Sequence, residues 1–181
     1  YLWKFGDGAT STDANPTHTY ASSGNFTVTL IATSAAGCVD SISHTAVVNP
    51  KPVPAFNVDA SCLGFASSFN NTSTGATSYL WKFGDGFTST DANPTHTYAS
   101  SGNFTVTLIA TSSSGCVDSV AHTAVVNPKP VPAFSVAAAC AGFANTFSNT
   151  STGATSYLWK FGDGATSTDA NPTHTYASSG N

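Results

Sequence analysis

Acidic and amide side chains cluster in one short stretch of this 181-residue chain, where they could bind a metal ion. Asp85 stands between two glycines, and Asp91 and Asn93 follow in the next loop. Calcium is bound by such oxygens, but it usually takes six or more of them, and this loop offers few carboxylates. The pattern favours a structural role, in which the Asp85 side chain caps backbone N–H groups of its own turn. No metal site is predicted.

Histidine is the second candidate for chemistry, because it binds zinc and acts as a general base. His96 lies between Thr95 and Thr97 in a short predicted strand, and His122 lies in a later one. Neither has a second histidine or cysteine at ligand spacing, so zinc is not predicted. We interpret His96 as a structural residue that forms hydrogen bonds, and we predict no cofactor.

Serine, histidine and aspartate together could form a catalytic triad. The chain has neither a nucleophile elbow nor a Gly-rich phosphate loop. A nearly identical set of these residues recurs in every repeat, which is atypical of an active site. The sequence therefore predicts that this chain is not an enzyme and has no catalytic residues.

The elements that position these residues are organised as a repeat. The segment YLWKFGDG begins at Tyr1, Tyr79 and Tyr157, so the period is 78 residues. A unit of this size can close its own hydrophobic core, unlike the shorter units of solenoids. We therefore expect independent small domains joined along one chain.

The period also predicts the domain limits. We expect the C-terminal part of one repeat over 1–49, a complete repeat over 50–127 and the N-terminal part of a third over 128–181. Two Pro-rich segments, 49–54 and 127–132, are predicted to be the linkers. Alternating prolines favour an extended polyproline II conformation, so each linker should be a short, semi-rigid spacer.

Alternation of apolar and polar residues predicts β-strands throughout. In the segment that begins at Phe104, the residues Val106 and Leu108 share one face, and threonines dominate the other. Trp81 is the expected anchor of the core. Seven short strands separated by Gly, Pro, Ser and Asn clusters predict an all-β, immunoglobulin-like sandwich. The predicted strands of the complete repeat are 55–58, 66–71, 79–83, 88–90, 95–98, 104–111 and 117–126.

Three motifs in the complete repeat carry a family resemblance. They are W-K-F-G-D-G at 81–86, N-P-T-H-T-Y at 93–98 and G-N-F-T-V-T-L at 102–108. Their order and spacing resemble the PKD (polycystic kidney disease) family, in which such residues are structural; here they are Trp81, Phe83, Gly84, Asp85, Gly86, His96 and Tyr98. The family usually has an acidic residue after the tryptophan, whereas this chain has lysine there, which weakens any inference of calcium binding.

The resemblance also implies a kind of protein. The added Gly-Cys-Val-Asp and Cys-Leu-Gly elements look like the PKD repeats of large secreted and surface proteins of Bacteroidota-type bacteria. Such domains are mostly spacers and interaction modules in adhesins, surface-layer proteins and secreted hydrolases.

The cysteines form two sets that are offset by the period. Cys38 and Cys116 follow the sixth predicted strand of their repeats, and Cys62 and Cys140 precede the second. Cysteines in a Ser- and Thr-rich exported chain predict disulfides in an oxidising compartment. The simple pairing, Cys62 with Cys116, would close a loop of about 54 residues within one repeat.

The expected topology favours another pairing. The two loops that hold these cysteines lie at opposite ends of a seven-stranded sandwich, roughly 20–30 Å apart, whereas a disulfide joins Cα atoms at most about 7 Å apart. One end of a domain faces the other end of the next, so Cys62 could bond to the cysteine one repeat further along. The sequence leaves both pairings open.

Sequence motifs also nominate glycosylation sites. N-glycosylation sequons occur at Asn25, Asn71, Asn103 and Asn149, although several will arise by chance in a chain so rich in serine and threonine. Ser41 and Ser119 each follow an aspartate and precede an aliphatic residue, as in the O-glycosylation motif of Bacteroidota.

Composition limits the possible partners. The chain has five Lys and nine Asp, a net charge of −4 and no basic cluster, so neither nucleic acid nor an anionic membrane surface is expected as a partner. It contains no apolar run long enough to span a membrane. An extracellular or cell-surface location is predicted.

Near-identity between neighbouring repeats leads to the functional hypothesis. Every copy presents the same surface and linker, so the array tends toward a regular rod or fibre, with copies of itself as partners. We predict a structural extracellular filament or stalk that is stabilised by disulfides and carries glycans. The alternative is a spacer array in an adhesin that binds carbohydrate or protein, or in a secreted hydrolase.

Overall fold

The structure is a computed structural model that describes residues 1–140 and 142–177. Its regular secondary structure in these residues is entirely β-strand. No helix of the described chain is long and apolar enough to cross a membrane. Contacts between residues divide the chain into two compact units, the first being Tyr1–Asp59, Ser67–His96 and Phe104–Ala124, and the second Ala60–Ala66, Thr97–Asn103 and Val125–Asn181.

The first, partial repeat forms one antiparallel sheet of four strands in the order β2-β1-β3-β4. Two short strands precede a long hairpin in which β3 and β4 pair over ten positions, from Gly24 opposite Val48 to Thr33 opposite Val39. The strands are β1 (Leu2–Lys4), β2 (Thr10–Ser11), β3 (Gly24–Thr33) and β4 (Val39–Val48).

The complete repeat contains two sheets, as the immunoglobulin-like prediction requires. One has three strands in the order β10-β7-β5, and the other has five in the order β6-β12-β11-β8-β9. The strands are β5 (Phe56–Val58), β6 (Ser61–Cys62), β7 (Ser67–Asn71), β8 (Ser78–Lys82), β9 (Thr88–Ser89), β10 (Thr95–His96), β11 (Gly102–Thr111) and β12 (Val117–Asn127). The all-β prediction is confirmed.

The core of this repeat is formed by the apolar residues that alternate with polar ones along its strands, as predicted. Along β11 the side chains of Val106, Leu108 and Ala110 are 0% exposed, while the threonines between them face the other way. Trp81 is likewise 0% exposed. The other buried apolar residues of this repeat are Phe56, Phe69, Phe83, Tyr98, Ala124 and Val126. Burying this much aromatic and aliphatic surface is the main stabilising contribution to a domain of this size.

The structure departs from the predicted strands by more than one residue in three places. A short strand, β6, was not predicted; it pairs in parallel with the end of β12, with Ser61 opposite Val126 and Cys62 opposite Asn127. Strand β11 begins two residues earlier than predicted, at Gly102. Strand β10 ends at His96, so Tyr98 lies beyond it although its side chain is buried. Two-residue strands such as β6 carry too little periodicity to be recognised in a sequence.

The Pro-rich segment is bound to the repeat that it precedes. Val53 forms an isolated antiparallel bridge with Thr74, in which each backbone N–H donates to the carbonyl oxygen of the other residue, with N to O distances of 2.9 and 3.0 Å. Pro52 beside it is fully buried. Val131 and Thr152 form the same bridge one period later. Val53 and Val131 are therefore each hydrogen-bonded to the repeat that follows them, and the limits of the linkers stay a prediction.

The third, partial repeat has the same early strands around a more open core. They are β13 (Phe134–Val136), β14 (Ala144–Asn149), β15 (Trp159–Lys160), β16 (Thr166–Ser167) and β17 (Thr173–Thr175). Phe134 is 60% exposed, whereas its counterpart Phe56 is 2% exposed. The described residues of this repeat include no counterparts of β11 and β12, the strands that carry much of the core of the complete repeat.

Candidate functional site

The Gly-Asp-Gly turn between β8 and β9 is shaped by its glycines. Gly84 and Gly86 have φ angles of +88° and +98°, a region that favours glycine. A Cβ atom on Gly84 would lie 2.6 Å from the carbonyl oxygen of Thr105, too close for any other residue. The turn therefore packs directly against the backbone of β11 and holds Asp85 in a fixed position.

Asp85 uses both carboxylate oxygens within the protein. Its Oδ1 accepts a hydrogen bond from the N–H of Phe87 at 3.2 Å, which is the turn cap expected from the sequence. Its Oδ2 lies 2.6 Å from Nε2 of His96, and the two side chains are only 17% and 13% exposed. The same pair recurs at 2.6 Å in the other repeats, as Asp7 with His18 and Asp163 with His174.

Each of these histidines also stacks on a phenylalanine. The rings of His96 and Phe83 lie 4.4 Å apart with an angle of 7° between their planes. The same stack occurs between His18 and Phe5 and between His174 and Phe161. In these two repeats a tyrosine hydroxyl also donates a 3.0 Å hydrogen bond to the phenylalanine carbonyl, from Tyr20 to Phe5 and from Tyr176 to Phe161. We call this set of aspartate, histidine and phenylalanine the clasp.

The clasp lowers the pKa of each aspartate. Partial burial alone raises the pKa of Asp85, but the hydrogen bonds from His96 and from the N–H of Phe87, together with the histidine charge, outweigh it. For Asp7 the bond with His18 has the largest effect in lowering the pKa, followed by the N–H of Ala9. For Asp163 the N–H of Ala165 comes first, and His174 follows. The ionised carboxylate is the form that fits this environment.

The other two oxygen donors considered for calcium have different partners. The backbone oxygen of Asp91 accepts a hydrogen bond from Nε1 of Trp81 at 2.9 Å, and its carboxylate accepts one from the Ser89 hydroxyl at 3.1 Å. The side-chain oxygen of Asn93 accepts a bond from the N–H of Asn71 at 2.9 Å. No group of three or more His, Cys, Asp or Glu side chains in residues 1–140 and 142–177 is placed to hold a metal ion. The geometry is that of a structural clasp.

Cys116 and Cys62 lie at opposite ends of β12. Cys116 immediately precedes β12, whereas Cys62 pairs with Asn127, the last residue of that strand. All four cysteines are free thiols; Cys116 is partly buried, and Cys38, Cys62 and Cys140 are exposed.

The nominated glycosylation residues fall into two groups. Asn25, Asn103, Ser41 and Ser119 are exposed on strands of the long hairpins. Asn71 and Asn149 instead use their side-chain oxygens in local turns, where they accept N–H bonds from Ser73 and Ser151 at 3.0 and 2.9 Å. Glycosylation at each of these positions stays a prediction.

Sequence analysis did not foresee that Asp85 and His96 are partners. The signal was present, because the aspartate and histidine are 11 residues apart in all three copies. That spacing spans β9 and the following loop, however, so no local periodicity connects the two residues.

Comparison with known families decides the identity of these repeats. A family model for the PKD domain matches residues 1–50, 49–128 and 125–181. The chain belongs to the PKD domain family. PKD domains are non-catalytic modules, which agrees with the structural role of the clasp. The exact limits of each domain stay a prediction.

PKD domains similar to these occur in bacterial proteases. The chain is 48% identical over 50 residues to a microbial collagenase of Vibrio alginolyticus, a match covering 28% of this chain and 6% of the collagenase. It is 60% identical over 38 residues to collagenase ColA of Bacillus cereus, covering 21% and 4%. It is 36% identical over 96 residues to the pre-pro-metalloprotease PrtV of Vibrio cholerae, covering 50% and 10%. The chain thus matches only a small part of these proteins.

Solved PKD domains are also similar. The PKD1 domain of Vibrio anguillarum Epp shares 30% identity with a TM-score of 0.41, and the match covers 45% of this chain and 99% of that one. The PKD1 domain of the Vibrio cholerae metalloprotease PrtV shares 38% identity with a TM-score of 0.39, covering 43% and 99%.

Proposed function

We propose that this PKD array is a structural, non-catalytic part of an extracellular protein, and that its repeats build a filament or stalk. The observation that carries the proposal is the recurrence of one domain with one linker. Each linker begins at an asparagine that ends a repeat, and each is fixed to the following repeat by the same bridge, at Val53 and at Val131. Near-identical units with identical connections tend to repeat one rotation and one rise.

The repeated polar groups support a mechanical role over a chemical one. The Asp–His pair of the clasp is engaged with the Gly-Asp-Gly turn and an aromatic ring in every copy, so it stabilises the domain rather than facing a substrate. A stalk needs many equally stable domains, and a clasp repeated without change supplies that. The predicted disulfides and glycans would further protect such an array outside the cell.

The collagenase and metalloprotease relatives support an extracellular location. They also favour a second candidate function, in which this array is the spacer of a secreted hydrolase or adhesin. A relation to the Bacteroidota-type arrays is part of the filament proposal, whereas these relatives come from Vibrio and Bacillus. A carbohydrate partner stays a prediction of the adhesin alternative.

Electron microscopy of the native protein tests the filament. We expect fibres with an axial period of one domain, roughly 40 Å, which is about the length of an 11-residue strand. Single, unassociated particles would contradict the filament and leave the spacer.

Zymography of the same native protein on collagen and casein tests the spacer of a hydrolase. Clearing at the mass of the intact polypeptide would identify a catalytic domain on the same chain. Absence of clearing together with ordered fibres would support the filament.

A further inference from the structure

Each repeat presents one cysteine on a rigid hairpin. In the hairpin between β11 and β12, the N–H of Ser112 donates to the carbonyl of Cys116 at 2.9 Å, and the N–H of Gly115 donates to the carbonyl of Ser112 at 3.0 Å. The N–H of Cys116 donates to the Ser112 hydroxyl at 3.1 Å. The same three bonds, within 0.1 Å of these lengths, hold Cys38 in the first repeat. The hairpin conformation is therefore a property of the repeat itself.

The Cys116 thiol lies against the end of the preceding repeat. Its Sγ is 3.9 Å from the carbonyl oxygen of Asn49, the residue that follows β4. Exposure gives independent support. Cys116 is partly buried, whereas Cys38, on the same hairpin but with no repeat before it among the described residues, is exposed.

The other cysteine of each repeat lies at the corresponding asparagine. Asn127 stands one period after Asn49, and it is the strand partner of Cys62. The N–H of Leu63 donates to the carbonyl of Asn127 at 2.8 Å, and neighbouring strands run about 4.8 Å apart. We call Cys62 and Cys140 the Cys62-type cysteines, and Cys38 and Cys116 the Cys116-type cysteines. The last residue of a repeat thus lies beside the Cys62-type cysteine of its own repeat, as Asn127 shows. It also lies beside the Cys116-type cysteine of the following repeat, as Asn49 shows.

Strand β12 argues against a bond within one repeat. Cys116 precedes its first residue, and Cys62 is opposite its last residue, Asn127. At about 3.3 Å per residue, these ends of an 11-residue strand lie over 30 Å apart. A disulfide requires Cα atoms within about 7 Å.

We propose that the Cys62-type cysteine of each repeat forms a disulfide with the Cys116-type cysteine of the next repeat, so that consecutive PKD domains are covalently stapled. Cys62 then bonds to the Cys116-type cysteine of the third repeat, at a position beyond residue 181. Cys116 bonds to the Cys62-type cysteine of the first repeat, at a position before residue 1. None of the four cysteines of this chain is then the partner of another. The inference rests on the proposed extracellular location, because disulfides persist in oxidising compartments.

The bond forms by thiol–disulfide exchange. Two thiols lose two protons and two electrons and form one S–S bond, and the electrons reduce one external disulfide to two thiols. Oxidised glutathione supplies that disulfide in the experiment below.

The test uses the full chain, lengthened after residue 181 by a copy of residues 26–49, which completes the third repeat. The copy carries Ala-Ala-Gly-Cys, and so differs from the Ser-Ser-Gly-Cys around Cys116. The protein is oxidised with glutathione, alkylated and cleaved before aspartate. The added cysteine lies on a peptide identical to peptide 13–39, which holds Cys38, so the lengthened chain also carries Cys38→Ser. Cys62 is then on peptide 59–84 and Cys116 on peptide 91–117, so mass spectrometry separates every pairing among the remaining cysteines.

We expect peptide 59–84 to be joined to the added cysteine peptide, and Cys116→Ser to leave this bond intact. In Cys62→Ser, and in the unextended 181-residue chain, the bond should be lost, with no intrachain disulfide in its place. A Cys62–Cys116 peptide, or alkylated Cys62 in the lengthened chain, would overturn the proposal. Either result leaves the filament to be decided by microscopy, so the two failures can be told apart.

Discussion

Nε2 of His96 lies 2.6 Å from Oδ2 of Asp85, and the histidine ring lies flat on Phe83 at 4.4 Å. The hydrogen bond ties the last residue of β10 to the Gly-Asp-Gly turn after β8, and the stack connects both to the core. One side chain thereby joins a strand of the three-stranded sheet to a turn of the five-stranded sheet.

Two substitutions of His96 should distinguish the contributions of the hydrogen bond and of the ring stack to the stability of the domain. His96→Phe keeps an aromatic ring on Phe83 but removes the hydrogen bond to Asp85, and we expect the free energy of unfolding to fall by about 1 kcal/mol. His96→Ala removes both, and should cost about 2 kcal/mol. Urea denaturation followed by tryptophan fluorescence measures both values. His44→Thr, at an exposed position of β4, is the control and should change little. Equal losses in the two His96 variants would show that the ring stack contributes nothing, and an unchanged free energy of unfolding in His96→Phe would show that the hydrogen bond contributes nothing.

Acid should weaken the clasp. The pKa of Asp85 is lower in the folded protein than in the unfolded chain, so its stabilising contribution is complete above the unfolded pKa of about 3.9 and is lost as the pH falls through the folded pKa. The difference in unfolding free energy between the wild type and Asp85→Asn should therefore be about 1 kcal/mol at pH 7 and shrink below pH 4. Urea titrations at pH 7, 4 and 2.5 measure it, and a constant difference across that range would argue against the ionised clasp.

The two turn glycines should differ in their tolerance of alanine. Both have positive φ, but a Cβ on Gly84 would meet the Thr105 carbonyl at 2.6 Å, whereas a Cβ on Gly86 would have nothing within 4 Å. We expect Gly86→Ala to cost about 1 kcal/mol for its backbone conformation alone, and Gly84→Ala to cost about 3 kcal/mol because the turn must move off β11. Thermal unfolding of the two variants decides this, and similar melting temperatures would mean that the close approach is not rigid.

Replacing equivalent phenylalanines of neighbouring repeats with alanine should lower the free energy of unfolding by different amounts. Phe56→Ala removes a ring that is 2% exposed and packs against Trp81 at 5.0 Å, so we expect a loss of about 3–5 kcal/mol. Phe134→Ala, the matched control in the third repeat, removes a ring that is 60% exposed and should cost well under about 2 kcal/mol. Chemical denaturation of the 181-residue chain compares them, and equal costs would show that the third repeat closes its core without counterparts of β11 and β12.

Much of this fold could be predicted because its signals are local. Phe104, Val106 and Leu108 alternate with threonines, so their strand and its buried face follow from the period of two. The Gly84 turn was recognisable for the same reason. The partner of Asp85 was not, because it depends on how β10 returns to the turn, and neither was β6, whose two residues gain their partners only through β12.

The sequence alone determined the 78-residue period, the all-β class, the core face of each long strand and the PKD family, because each depends on residue types and spacing within a short stretch of chain. Only the tertiary structure decided that the carboxylate of Asp85 is hydrogen-bonded to His96, and that the Cys116 thiol lies at Asn49 of the preceding repeat. These contacts join residues from different strands and turns. They depend on how those elements pack in the folded protein, which a local sequence pattern does not show.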